Sequence, residues 1–122
     1  MSQPNVSTSL RTLFCIGVNQ NFMDATKEEM GEVWTAFCAM MKGIDQIEGA
    51  TILGVLDDDR TQVGPSVDAP WTAYIMADMP SYDSVVQACE LFRSTPVGDG
   101  TYSLWKYCKV DARIGRGLDI PK

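Results

Sequence analysis

Histidine is absent from the chain. That absence removes the Ser-His-Asp triad, a Cys-His nucleophile, imidazole metal ligands and a histidine proton shuttle. Acid–base work would fall to carboxylates, Tyr, Lys, Cys or water. Cations are few: ten Lys and Arg stand against sixteen Asp and Glu, a net charge of −6. Nucleic-acid binding needs clustered cations, so this balance argues against it. The basic residues near the C-terminus, Lys106, Lys109, Arg113 and Arg116, are interrupted by Asp111. They fit a strand edge or an anionic ligand better than DNA. No apolar run approaches the roughly 20 residues of a membrane span. Met1 to Ser9 is polar and contains Pro4, unlike a signal peptide, so a cytoplasmic location is expected. The four cysteines, Cys15, Cys38, Cys89 and Cys108, form no C-x-x-C pair. They read as reduced thiols packed like small hydrophobes, not as a disulfide framework or a zinc site. Gly98-Asp99-Gly100 follows Pro96 and reads as a turn, not as a nucleotide-binding glycine loop. No cofactor and no metal are expected.

What is present suits one domain. The 122 residues are 45% hydrophobic and 21% charged, near globular averages. We expect a single domain over 1–122, with a short flexible N-terminus at 1–8 and a C-terminal tail at 113–122. LRTLFCIGV, 10–18, is rich in β-formers and reads as a first strand. Asn19, Gln20 and Asn21 read as a loop. Thr26 and Glu29 make a capping-box pattern that opens a helix. Its stripe is Met30, Val33, Trp34, Phe37, Met40, Met41 and Ile44, and Gly43 or Gly49 marks its end. Residues 50–56 read as a second strand with Asp57, Asp58, Asp59 and Arg60 as its polar end. Gly64, Pro65 and Pro70 make 61–70 a loop. Residues 71–79 read as a third strand, stopped by Pro80. Ser81 caps a second helix with Val85, Ala88, Cys89 and Phe92 inward. Residues 102–112 read as a fourth strand, with Leu104, Cys108, Val110 and Ala112 alternating against Trp105, Tyr107, Lys109 and Asp111.

The order β-α-β-β-α-β, with right-handed crossovers, predicts an α+β fold: a ferredoxin-like four-stranded antiparallel sheet with both helices on one face. Leu13, Leu53, Val55, Tyr74, Met76, Trp105 and Tyr107 cannot all point at two helices. An apolar sheet face left open favours a second copy packed face to face, so a homodimer is expected. The element order over about residues 8 to 112 resembles the dimeric α+β barrel superfamily. That group includes muconolactone isomerases, cofactor-free monooxygenases and polyketide cyclases. The segments RTLFCIGVNQNF, DDDRTQVGP and SLWKYCKVDARIGR resemble a small accessory protein family encoded with indole-3-acetic acid degradation genes. The resemblance implies a role in aromatic-compound catabolism or biosynthesis. It transfers no catalytic residue, since several superfamily sites use His.

The strand faces nominate Arg11, Tyr74, Trp105, Tyr107 and Lys109 as groups facing a cavity. Trp and Tyr suit an aromatic ligand by stacking and hydrogen bonding, and Arg11 suits a carboxylate bidentately. The same residue types equally suit a dimer interface. Asp57 or Asp58, pushed into an apolar cavity, would serve as a general base or acid; the other reading is a solvated acidic turn. Asn19 is a hydrogen-bonding candidate at the cavity mouth, or plain loop. Besides a stress-type or housekeeping dimer with no ligand, two functions stay open. One is proton-transfer chemistry on a small aromatic or cyclic compound: isomerisation, cyclisation, decarboxylation or cofactor-free oxygenation. It would use Asp57, Asp58, Tyr74 and Tyr107 catalytically, with Arg11, Trp105, Lys109 and Asn19 binding. The other is a non-catalytic ligand-binding or accessory dimer. No nucleic acid and no membrane are expected as partners.

Overall fold

A computed structural model of the chain describes residues 9–58, 71–118, 120 and 121. The expectations for 1–8, for Asp59 and Arg60 and for the loop 61–70 lie outside the described residues. The rest is an α+β fold built on a four-stranded antiparallel sheet. Strand β1 spans Leu10–Val18, β2 Thr51–Asp57, β3 Ala73–Met79 and β6 Cys108–Gly115. A two-residue hairpin, β4 at Pro96–Val97 and β5 at Tyr102–Ser103, precedes β6. The sheet order is β2-β3-β1-β6, so β1 is bonded on both sides. Helix α1 is one turn, Gln20–Met23; α2 is Lys27–Asp45 and α3 is Tyr82–Ser94.

Both long helices start where the capping residues place them. Thr26 accepts a hydrogen bond from the Glu29 amide. Ser81 and Ser84 cap each other reciprocally, each hydroxyl accepting from the other's amide. These contacts satisfy amides that the first helical turn leaves without partners. α2 ends at Asp45, and Gly49 takes φ +86° in the turn beyond it, close against Pro80. Gly43 lies inside the helix, where a Cβ would stand only 3.0 Å from Leu91 Cδ1 of α3. The missing side chain lets the two helices approach.

The core lies between these helices and one face of the sheet. Phe14, Ile16, Ile75, Ala77 and Met79 meet Val33, Ala36, Met40 and Ile44 of α2 and Val85, Ala88 and Phe92 of α3. The period of two on β1 and β3 and the period near 3.6 on the helices put these residues on facing surfaces. The opposite sheet face carries Leu13 paired with Met76, Cys15 with Tyr74, and Arg11 with Asp78. Lys109, Asp111 and Arg113 of β6 complete it opposite Gly17, Cys15 and Leu13. No described helix packs there.

Two expectations are corrected. The segment 102–112 is not one strand. Its alternation breaks at a 3-10 turn, Leu104–Lys106, and the sheet strand runs from Cys108 to Gly115, into the residues expected as tail. The Leu104 amide donates to the Thr95 carbonyl at the end of α3, which pulls the chain out of the ladder. As a result Trp105 projects outward while Tyr107 is buried. Likewise Gln20 and Asn21, read as loop, belong to α1, Gln20–Met23. β2 also carries a bulge between Ile52 and Gly54, which puts Leu53 out of register.

Replacing Phe14, which is fully buried, by Ala removes the centre of the core. It should cost about 3–5 kcal/mol, whereas Ser81→Ala should cost about 1 kcal/mol through the lost cap. Urea unfolding of the three proteins measures both.

Candidate functional site

At one end of the sheet the strands and α2 diverge and leave a cavity of about 590 Å³. Its floor is Ile16 and Val18 of β1 with Ala73 of β3. One wall is α2, through Met30, Val33, Trp34 and Phe37; Phe22 of α1 and Leu104 close another side. Trp34 and Phe37 stack, with centroids 5.9 Å apart and planes 15° from parallel. They sit at i and i+3 on one helix face, so the pair forms an aromatic shelf beside the opening. The β2 side supplies Val55, Leu56, Asp57 and Asp58. Thr72, Tyr107 and Cys108 complete the lining.

The backbone ties this end together. The Asp58 amide donates to the Thr72 carbonyl at 2.8 Å, and the Thr72 amide donates to the Ile16 carbonyl at 2.7 Å. The Thr72 hydroxyl donates to that same carbonyl at 3.2 Å. Thr72 therefore links the ends of β1, β2 and β3 and fixes where the two aspartates emerge. On the other side the Asn19 amide donates to the Tyr107 carbonyl at 2.7 Å. The side-chain amides of Asn19 and Asn21 both donate to the Lys106 carbonyl, at 3.3 and 3.0 Å. These bonds hold the 3-10 turn against the end of β1 and present Leu104 and Tyr107 to the cavity.

The chemistry of the lining is lopsided. Among the described residues of the lining apolar groups dominate, and the formal charges are the carboxylates of Asp57 and Asp58. Asp57 and Asp58 are exposed at its rim. The Tyr74 hydroxyl donates to Asp58 Oδ2 at 3.3 Å from the open sheet face. Partial burial of the phenol, then the Asp58 charge and the hydrogen bond to it, raise the Tyr74 pKa above its ordinary value. Cys108 is buried, and desolvation pushes its thiol up to about 11, so it stays a neutral S–H donor to the Leu104 carbonyl. Among the described residues no group of three or more Cys, Asp or Glu is arranged to hold a metal ion.

Of the residues nominated by the sequence, Asp57, Asp58 and Tyr107 meet at the cavity, and Tyr74 reaches it through Asp58. Asn19 acts on its wall, as a staple. Arg11 lies at the other end of β1, five residues or roughly 16 Å from Ile16. There its Nε donates to Asp78 Oδ1 at 2.6 Å and its Nη2 donates to Oδ2 at 3.2 Å. Gly117 packs against the guanidinium, where a Cβ would stand 3.2 Å from Nη2. Lys109 sits on the open sheet face, its ammonium 5.5 Å from the Trp71 ring centroid. Trp105 is outside the cavity lining. Sequence reasoning missed Phe22, Thr72 and the shelf made by Trp34 and Phe37. Their signal was present in the stripe on α2. Its seven large residues are more than a buried helix face uses, and Trp34 is left 66% exposed.

The Cys108 thiol gives the fold an alkaline sensitivity. In the folded chain it keeps its proton up to about pH 11, while an ordinary thiol loses it near 9. The stabilising contribution is therefore complete below pH 9 and is lost between about 9 and 11. The loss amounts to about 3 kcal/mol at most. The stability advantage of the wild type over Cys108→Ala should shrink across that range, as read by urea unfolding at stepped pH. Native Cys108 should also resist a thiol reagent at pH 8.

No helix among the described residues is long and apolar enough to cross a membrane. In comparisons with known proteins the chain matches no family model, no curated protein and no solved structure.

Proposed function

We propose that the protein binds a small aromatic or cyclic ligand in the cavity between α2 and the end of the sheet. The observation that carries this reading is the lining itself. A 590 Å³ concavity with aliphatic walls, a stacked Trp34–Phe37 shelf and a few convergent polar groups matches the size and make-up of small-molecule sites. An aromatic ring gains both buried area and offset stacking there. The resemblance to proteins of aromatic-compound catabolism, indole-acetate degradation among them, agrees with such a ligand.

A second reading adds proton transfer, as an isomerase, cyclase, decarboxylase or cofactor-free monooxygenase. The observation in its favour is that Asp57, Asp58 and Tyr107 line one cavity whose other lining is largely apolar. Tyr107 would donate a proton and a carboxylate would accept one. Binding without turnover needs none of this, and it is the reading the apolar lining supports best.

The finer architecture belongs to the proposal too. The sheet order β2-β3-β1-β6, with both long helices on one face, is compatible with the ferredoxin-like reading. The open face presents the Leu13–Met76 pair beside half-buried Tyr74, with Leu53 and Leu56 exposed on β2. A second copy laid on this face would bury it, giving a dimeric α+β barrel.

A thermal-shift titration with indole tests the binding reading. Indole should raise the melting temperature in a concentration-dependent way. Trp34→Ala, at an exposed position, should weaken binding about five- to tenfold through the lost stacking partner. Met30→Trp should abolish it by filling the cavity. An unchanged melting temperature at saturating indole, or wild-type binding by Met30→Trp, overturns the assignment.

The association reading has its own check. Sedimentation equilibrium should give twice the chain mass for the wild type and a single chain mass for Met76→Asp, with unchanged circular dichroism.

A further inference from the structure

Tyr107 carries a hydrogen-bond donor to the cavity that the fold itself does not use. Its side chain lines the cavity and is only 4% exposed. A phenol buried this far ordinarily finds a partner for its O–H. The Tyr107 hydroxyl makes no hydrogen bond among the described residues. Among those residues every fully buried side-chain oxygen has a partner. The Tyr107 oxygen, which has none, therefore keeps accessible surface, and the space its side chain borders is the cavity. Two neighbouring groups of the lining have their protons committed to the backbone. The Thr72 hydroxyl donates to the Ile16 carbonyl at 3.2 Å, and the Cys108 thiol donates to the Leu104 carbonyl at 3.5 Å.

We propose, resting on the reading of the cavity as a small-ligand site, that Tyr107 is its specificity-determining residue. The ligand class is a ring compound with a carbonyl oxygen on or beside the ring, and that oxygen accepts the Tyr107 O–H. A carbonyl offers lone pairs and no proton, so it complements a hydroxyl whose proton is uncommitted. The apolar walls supply affinity for any ring of the right size. The hydroxyl separates a ring that bears the acceptor from a hydrocarbon of the same shape, because the hydrocarbon would cover the hydroxyl and leave it without a partner. No proton changes hands in this bond, so it needs no base.

The placement of Tyr107 suits this role. Its amide donates to the Leu104 carbonyl at 2.9 Å, and its carbonyl accepts from the Asn19 amide at 2.7 Å. The ring belongs to the buried core cluster. Backbone and ring are thus fixed before a ligand arrives, so binding pays little to order the donor.

Isothermal titration at pH 7 with indane, 1-indanone and 2-indanone tests the assignment. The three probes are uncharged and share one fused-ring frame; the first lacks a carbonyl and the other two carry it at different places. The better ketone should bind about five- to tenfold tighter than indane, the worth of one neutral hydrogen bond. In Tyr107→Phe the ratio of ketone to indane affinity should fall to within about twofold, since only the donor is removed. An oxygen without a protein partner adds no hydrogen bond to the fold, so without ligand Tyr107→Phe should melt with the wild type. A melting temperature lower by about 4 °C or more would place the hydroxyl in the bonding of the fold and overturn the proposal. Equal binding of indane and both ketones, or a ketone preference that Tyr107→Phe retains, overturns the donor assignment and leaves the cavity as a ring-binding site. Absence of binding by all three probes overturns the site and the donor assignment together.

Discussion

Strand β1 is the constraint on which the structure hangs. It is bonded to β3 over Leu10 to Ile16 and to β6 over Arg11 to Val18, so its backbone groups are consumed on both edges. A strand so placed cannot slip, because a one-residue shift would carry Phe14 and Ile16 out of the core and bring Arg11 and Leu13 in. The helices obey the same choice of face. α2 and α3 pack where Phe14, Ile75, Ala77 and Met79 point, and their contact at Gly43 and Leu91 closes the layer. The other face holds the Arg11–Asp78 pair at one end and the charged residues of β6 along one side.

The cavity is a consequence of where that strand ends. Past Ile16 the regular β1–β3 ladder gives way to the Thr72 bonds, and past Val18 the chain turns into α1. The helices still cover the middle of the sheet, but at this end α2 contributes Met30 and Trp34 to an opening and not to a packed layer. The described walls are mostly apolar, and Asp57, Asp58 and Thr72 enter at strand ends. This explains why the two aspartates, the Thr72 hydroxyl and Tyr107 share a site although they are spread over half the chain. Strand ends are the points of a sheet where a side chain can reach a cavity without breaking the ladder. Burial acts on the cavity chemistry as well, since desolvation keeps the Cys108 thiol protonated.

Much of the fold was legible in the sequence because the signals were local. The alternation of 10–18 and 73–79, the Thr26 and Ser81 caps and the helical stripes each depend on neighbours within four residues. The failures were non-local. Residues 102–112 alternate well enough for a strand, and only the bond from Leu104 to Thr95, across the hairpin, shows that the chain leaves the ladder there. Asn19 to Asn21 read as loop because one turn of helix carries no periodic signal; what holds it is the Lys106 carbonyl, some 85 residues away. The candidate site divides in the same way. Asp57 and Asp58 stood out as a strand-end acidic run, and they do reach the cavity. Arg11 and Lys109 stood out equally by residue type, yet their partners Asp78 and Trp71 lie on other strands or beyond their ends.

The sequence by itself determined the elements, the caps, the inward faces of β1 and β3 and the exclusion of imidazole chemistry, because these follow from residue type and short spacing. The tertiary structure alone decided which polar groups share a cavity, which cations are already engaged, and that Trp34 belongs to a rim and not to the core. Those are questions of which chain segments meet. The meeting is set by hydrogen bonds such as Thr72 to Ile16 and Leu104 to Thr95, whose partners no local pattern announces.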